Sequence, residues 1–98
     1  MADHTTVEVR DNPDDSRFEA YVDGALAGFS PYVVSHGTLN FVHTEVDDAF
    51  EGQGVGSALV RQSLDQLAER DGVRVTASCP FVRVWLRRHP EYQDLTRR

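Results

Sequence analysis

Lysine is absent from these 98 residues, and all ten basic side chains are arginine. That removes a lysine nucleophile, a Schiff-base lysine and the lysine of a P-loop, and it excludes acetylation of the chain's own lysine side chains. Cysteine is nearly absent: Cys79 alone allows no intrachain disulfide framework and no cysteine-based metal cluster. No metal is therefore expected, and the expected setting is a reducing one, the cytoplasm. Positive charge is in deficit, with 10 basic residues against 16 acidic and a formal net charge of −6. That balance argues against nucleic acid or an anionic membrane as partner. No apolar run approaches the length of a membrane span. The opening Met1-Ala2-Asp3-His4 shows neither the positive segment nor the apolar stretch of a signal peptide, so export is not expected.

What is present suffices for one core. A chain of this length buries roughly 60–65% of its unfolded surface, and residues 1–98 are expected to form a single domain. Thr6–Arg10 alternates apolar and polar residues, and Asn12-Pro13-Asp14-Asp15 follows as a turn. Phe18–Val22 alternates again before Asp23-Gly24, a two-residue hairpin signal. Ala25–Ser35 runs back, with Pro31 marking a bulge or an edge position, and His36-Gly37 turns the chain into a strand expected over Thr38–Val46.

The period then changes. Val55, Leu59, Val60, Leu64, Leu67 and Ala68 recur every three or four residues, which predicts a helix from Gly54 to about Arg70 with Gly72 as its left-handed cap. Val73–Ala77 reads as a short strand. Pro80 suits a first helical turn, and Phe81, Val82, Val84, Trp85 and Leu86 form the apolar part of a short helix stopped by His89-Pro90. Tyr92 and Leu95 are expected to pin the tail. The order β-β-β-β-α-β-α predicts an α+β domain with a mixed sheet of about five strands, because the connection through the long helix makes its flanking strands parallel.

The most informative stretch is Glu51-Gly52-Gln53-Gly54-Val55-Gly56-Ser57, a glycine turn that opens straight into the long helix. Glycines at alternate positions leave backbone N–H groups bare, and the helix start adds unpaired donors and the positive end of its dipole. Such a cradle suits a phosphate or pyrophosphate. A Walker A loop is excluded for want of lysine, and a dinucleotide fingerprint by spacing and by the antiparallel strands that precede the turn. A tight turn whose glycines only meet steric demands is the plain alternative.

The turn resembles the acyl-CoA pyrophosphate loop of the GNAT N-acetyltransferase superfamily, Gln/Arg-x-x-Gly-x-Gly/Ala. Together with His43-Thr44-Glu45-Val46, Cys79-Pro80-Phe81-Val82 and Arg88-His89-Pro90-Glu91-Tyr92, it resembles that superfamily's small single-domain branch. The resemblance implies acetyl-CoA as co-substrate and an amine, on a protein or a small molecule, as acceptor. It implies a version of the fold without the two helices that usually follow the first strand, and hence an open acceptor side. Mapped on the motif, the cofactor loop is Glu51, Gly52, Gln53, Gly54, Val55, Gly56 and Ser57. The strands Phe41–Val46 and Val73–Ser78 would splay around the pantetheine arm, whose amides would meet backbone near Thr44 and Val46. One position departs from the pattern: Glu51 stands where Gln or Arg is usual, and a carboxylate there repels a pyrophosphate by about 1 kcal/mol when screened by water.

Three side chains are candidates for the chemistry. Cys79 falls between a strand end and a helix start, a setting for a reactive thiol, although a lone cysteine also serves as a small buried apolar residue. His43 and Glu45 alternate on one strand and share a face, where either can take a proton from an amine or simply be solvated. His89 is read as a cap of the last helix. Two routes stay open: direct attack on acetyl-CoA in a ternary complex, the superfamily's usual route, and passage through an acetyl-cysteine on Cys79. Arg61, Arg87 and Arg88 are candidates for the 3′-phosphate of CoA or are plain surface charges. An acyl-CoA-binding module without catalysis, or an interaction module that pairs through a β-edge or Trp85, is the alternative function. The expected assembly is a monomer or a weak homodimer.

Overall fold

The structure, a computed structural model, describes residues 6–98; the opening residues read above for an export signal lie outside the described residues. Its elements are β1 (Val7–Asn12), β2 (Arg17–Val22), β3 (Ala25–Ser35), β4 (Thr38–Phe41), β5 (Glu45–Val46), α1 (Val55–Ala68), β6 (Arg74–Ala77) and α2 (Pro80–Arg88). Short 3-10 segments cover Asp48–Phe50 and Pro90–Arg97. This is the mixed α+β architecture that the sequence predicts.

The sheet runs β1-β2-β3-β4-β6, with β5 also paired to β3. β1 through β5 pair antiparallel, and β4 runs parallel to β6 across the α1 crossover. Both hairpin turns use two residues with positive φ, Asp23 and Gly24 in one, His36 and Gly37 in the other, the primed geometry that matches strand twist. Between β1 and β2 lies only a tight turn, closed by Asp15 N donating to Asn12 O and Ser16 N to Pro13 O. No helix is inserted there.

Two expectations need correction. The strand expected over Thr38–Val46 is broken in two. Tyr32 pairs with Phe41 and Phe29 with Glu45, so residues 42–44 stand opposite only residues 30–31. This is a bulge, and Pro31 lies within it: its carbonyl accepts from Val42 N, while its own nitrogen has no hydrogen to give. The helix is also shorter than expected and is not capped by Gly72. α1 ends at Ala68 with Glu69 as cap, and Gly72 takes its positive φ in the turn beyond. The orphan carbonyls at this end go to Arg98, whose guanidinium donates to Ala68 O at 3.0 Å and Arg70 O at 2.9 Å. A cation at a helix C-terminus satisfies those carbonyls and the dipole together.

Val55, Leu59, Val60, Leu64 and Leu67 of α1 are buried against Val9, Phe18, Ala20, Leu39, Phe41 and Val75 of the sheet. Each such side chain contributes about 1.5–3 kcal/mol of transfer free energy. Ala68, expected on the same stripe, is exposed. Leu95 is buried and Tyr92 packs against the core, so the tail is pinned as expected. No helix among the described residues is long and apolar enough to cross a membrane.

Candidate active site

The glycine turn forms where a short 3-10 segment meets α1. Asp47 caps that segment, its carboxylate accepting from Ala49 N at 2.9 Å. Gly52 and Gly54 then adopt φ of 81° and 77°, a region that side chains strain to enter. A Cβ at either would meet nothing within 4 Å, so the turn is open on its outer side. Gly56 is glycine for another reason: a Cβ there would lie 3.1 Å from Phe81 Cζ, so it lets α2 close on the turn. The first intrahelical bond runs from Ala58 N to Gly54 O, which leaves the N–H groups of Val55, Gly56 and Ser57 without partners in the helix. Trp85 Nε1 donates to Ser57 Oγ at 2.9 Å, so the Ser57 hydroxyl keeps its own hydrogen to donate.

These donors border a depression of about 330 Å³ walled by Val46, Phe50 and Phe81. Bare amides at a helix start beside an apolar wall fit a phosphate carrying an alkyl arm. A second cavity of about 560 Å³ continues from Ser57 past Phe81 and Trp85 to Arg88. Glu51 sits exposed on the rim of the first depression, and Gln53 is exposed beside it with its N–H on Phe50 O.

The broken strand delivers the second part of the site. His43 Nε2 lies 3.5 Å from Glu45 Oε2, and both side chains are more than half exposed. The shared face expected from alternation is thus realised across the bulge. Behind them, Cys79 is buried at the N-cap of α2, with Sγ 3.5 Å from Thr44 Oγ1. Thr44 Oγ1 is 3.2 Å from Ser30 Oγ, which donates to the His43 carbonyl at 2.8 Å. The hydrogen order of this chain is dictated by its last member. A carbonyl only accepts, so the single Ser30 hydrogen is spent on it, Ser30 accepts from Thr44, and Thr44 accepts from Cys79 S–H. In that order Cys79 Sγ takes the donor role toward Thr44 Oγ1. Ser30, 1% exposed, is the residue that sequence reasoning missed, because a serine within an apolar strand carries no spacing signal.

The arginines divide. Arg61 lies over the Trp85 ring at 5.2 Å and donates to Tyr92 Oη at 3.4 Å, engaged with aromatic rings beside the turn. Arg88 lines the cavity that contains Ser57. Arg87 does not join them; it lines a different groove with Arg74 and Arg83. Trp85, considered above as a pairing surface, is 5% exposed and stacks on His89 with ring centroids 3.7 Å apart, so it offers no such surface. His89 Nδ1 meets the Trp85 carbonyl at 2.8 Å, consistent with its reading as a helix cap.

A family model described as GCN5-related N-acetyl-transferase matches residues 17–95. Protein NATD1 of Xenopus tropicalis is 32% identical over 60 residues, covering 61% of this chain and 54% of that protein. Protein NATD1 of Bos taurus is 34% identical over 59 residues, covering 60% of this chain and 51% of its own length. The chain thus spans about half the length of these relatives. Among solved structures, Ard1 from Thermoplasma volcanium superposes with a TM-score of 0.50 at 30% identity, covering 61% of this chain and 40% of that one. The ribosomal-protein-alanine N-acetyltransferase from Brucella melitensis biovar Abortus 2308 gives 0.52 at 24% identity over 81% of this chain and 61% of its own, a likeness of fold. Sequence and fold agree, and the chain belongs to the GCN5-related N-acetyl-transferase family.

Proposed function

We propose that this chain is an N-acetyltransferase that uses acetyl-CoA and acetylates a primary amine by direct attack. The observation that carries the reading is the junction of an open glycine turn at the start of α1 with a broken strand that presents His43 and Glu45. The N–H groups of Val55, Gly56 and Ser57, the Ser57 hydroxyl and Arg88 would hold the phosphates, and backbone at Thr44 and Val46 the pantetheine amides. Bound acetyl-CoA supplies an activated acyl group. Glu45, 3.5 Å away, would orient His43, and the exposure of both lets the proton of an incoming ammonium leave to water.

The Cys79–Thr44–Ser30 chain favours direct attack over an acetyl-cysteine. A thiol committed as a hydrogen-bond donor and buried at 3% exposure must break that bond and lose a proton before it can act as a nucleophile. Transfer of labelled acetyl from acetyl-CoA to a panel of polyamines and amino-terminal peptides tests the reading. Cys79→Ala is expected to keep transfer within a few-fold, and Glu45→Gln combined with His43→Ala to lower it by about 10²-fold or more. Loss of transfer in a folded Cys79→Ala would contradict direct attack. The absence of a helix between β1 and β2 favours a second reading, acyl-CoA binding without transfer. Tight cofactor binding with no labelled amine across the panel would select it.

A further inference from the structure

Two serines are buried among the described residues, and their hydroxyls are used differently. Ser63 of α1 is 0% exposed, and its Oγ meets no hydrogen-bond partner among those residues. Ser30 of β3 is 1% exposed. Its Oγ donates to the His43 carbonyl at 2.8 Å and lies 3.2 Å from Thr44 Oγ1. A buried hydroxyl placed on a carbonyl of the broken strand fixes that peptide unit, because the carbonyl would otherwise lose its partner.

Ser30 sits where strand pairing stops. The bulge takes residues 42–44 out of the pairing with β3, which ends at Phe41 and resumes at Glu45. Within that gap the His43 carbonyl is met by a side chain, that of Ser30. Two residues earlier, on the same face of β3, Gly28 serves the resumed strand. A Cβ there would lie 2.6 Å from Glu45 O, so a side chain at this position would push β5 away. Ser30 thus holds the carbonyl of His43, and Gly28 leaves room for that of Glu45. Thr44, between them, reaches Cys79 Sγ at 3.5 Å. The His43 and Glu45 side chains, 3.5 Å apart, project from these same two residues.

We propose that Ser30 and Gly28 are positioning residues, which fix the broken strand from β3 and thereby set His43 against Glu45. The inference rests on the reading of His43 and Glu45 as the pair that meets the amine. Neither β3 residue touches substrate; each acts through the backbone of the residue it faces. A reacting group displaced by about 1 Å can lose about 10²-fold in rate. A strand freed from Ser30, or pushed off by a side chain at residue 28, therefore loses turnover before it loses the fold.

Amide hydrogen exchange and acetyl transfer, both measured on the intact chain, test this. Val42 N and Asp47 N donate to Pro31 O and Ala27 O, so they report how firmly β3 holds each side of the break. In Ser30→Ala both should exchange about tenfold faster or more, while amides inside α1 keep their rates. Turnover should fall about tenfold, in kcat more than in the KM for the amine. Gly28→Ala should move both readouts the same way. Ser63→Ala, which removes a buried hydroxyl without a partner, is the matched control and should change neither. Ser30→Cys fills the space but donates only weakly; it repeats the test should Ser30→Ala fail to fold, with the same two changes expected. Parental exchange at Val42 and Asp47 in a folded Ser30 variant overturns the proposal, as does faster exchange with parental kcat. If the parent transfers no acetyl group, the reading of His43 and Glu45 fails on its own, and the exchange rates still decide whether β3 sets the broken strand.

Discussion

The two faces of the sheet follow different rules. On the face beneath α1, paired positions are apolar from strand to strand: Val9 with Ala20, Tyr32 with Phe41, Leu39 with Val75. On the other face the row runs Arg10, Glu19, Phe29, Glu45 across β1, β2, β3 and β5. Cover on this second face is side chain on side chain, Arg10 over Tyr21 and Arg17 over Phe29. Glu19 is nevertheless buried, held by Arg17, Tyr21 and Asn12. The helix-covered face is built for stability and for the glycine turn at the start of α1. The other carries His43 and Glu45, whose side chains are more than half exposed.

Truncating one ring on each face gives the largest contrast. Phe41, 1% exposed, should cost about 3–5 kcal/mol as Phe41→Ala. Phe29, half-buried under a guanidinium, should cost no more than about 1.5 kcal/mol as Phe29→Ala. Urea unfolding at unchanged m-value measures both, and equal losses would break the comparison.

Titration separates the faces next. Tyr32 lies on the covered side and donates to Asp11, which Arg70 also holds. Burial first, then the hydrogen bond to Asp11, pushes its hydroxyl up to about 12. The folded state therefore keeps a proton that the unfolded chain loses near its ordinary value, and stability should fall as pH rises from about 10 to about 12, by about 2 kcal/mol. Tyr32→Phe should remove most of that slope; Tyr21 and Tyr92, also raised, leave a remainder. Glu19 reports the open face with the opposite sign. The Tyr21 hydroxyl, with Arg17 and Asn12, holds its carboxyl below the ordinary value against the cost of burial. Its contribution is present above the ordinary carboxylate range and is lost as pH falls through the folded value, a loss that Glu19→Gln should flatten in acid unfolding curves.

A matched pair of glycines gives the smallest effect on stability and the cleanest on binding. Gly24 and Gly54 share positive φ and open space around a would-be Cβ. Alanine at either should cost about 1 kcal/mol of stability. Only Gly54→Ala should also weaken acetyl-CoA, by about tenfold, since Gly54 is the N-cap of α1. Equal affinities of the two variants would detach the turn from the cofactor.

Much of this was legible in the sequence, and the reasons differ by region. Asp23-Gly24 and the α1 stripe are local signals, and the structure realises both as a hairpin and a buried face. The bulge at Pro31 was legible on its own strand, but the break that faces it between Phe41 and Glu45 was not, because nothing in Val42-His43-Thr44 marks it. The cap of α1 was misplaced for a similar reason. Gly72 is a sound local signal, but Arg98, distant in sequence, takes the orphan carbonyls. Glu45 beside His43 followed from alternation, whereas Ser30 joins Thr44 and Cys79 only through tertiary pairing. Trp85, an exposed candidate in sequence, is buried because Ser57 and His89 close on it.

The most direct test of the central claim is a calorimetric titration of the protein with acetyl-CoA, repeated on Glu51→Arg. Saturable micromolar binding, tightened in the variant as the rim carboxylate gives way to a guanidinium, is the predicted result. No heat up to millimolar acetyl-CoA with either protein would contradict it and leave Gly52, Gly54 and Gly56 as a tight turn alone.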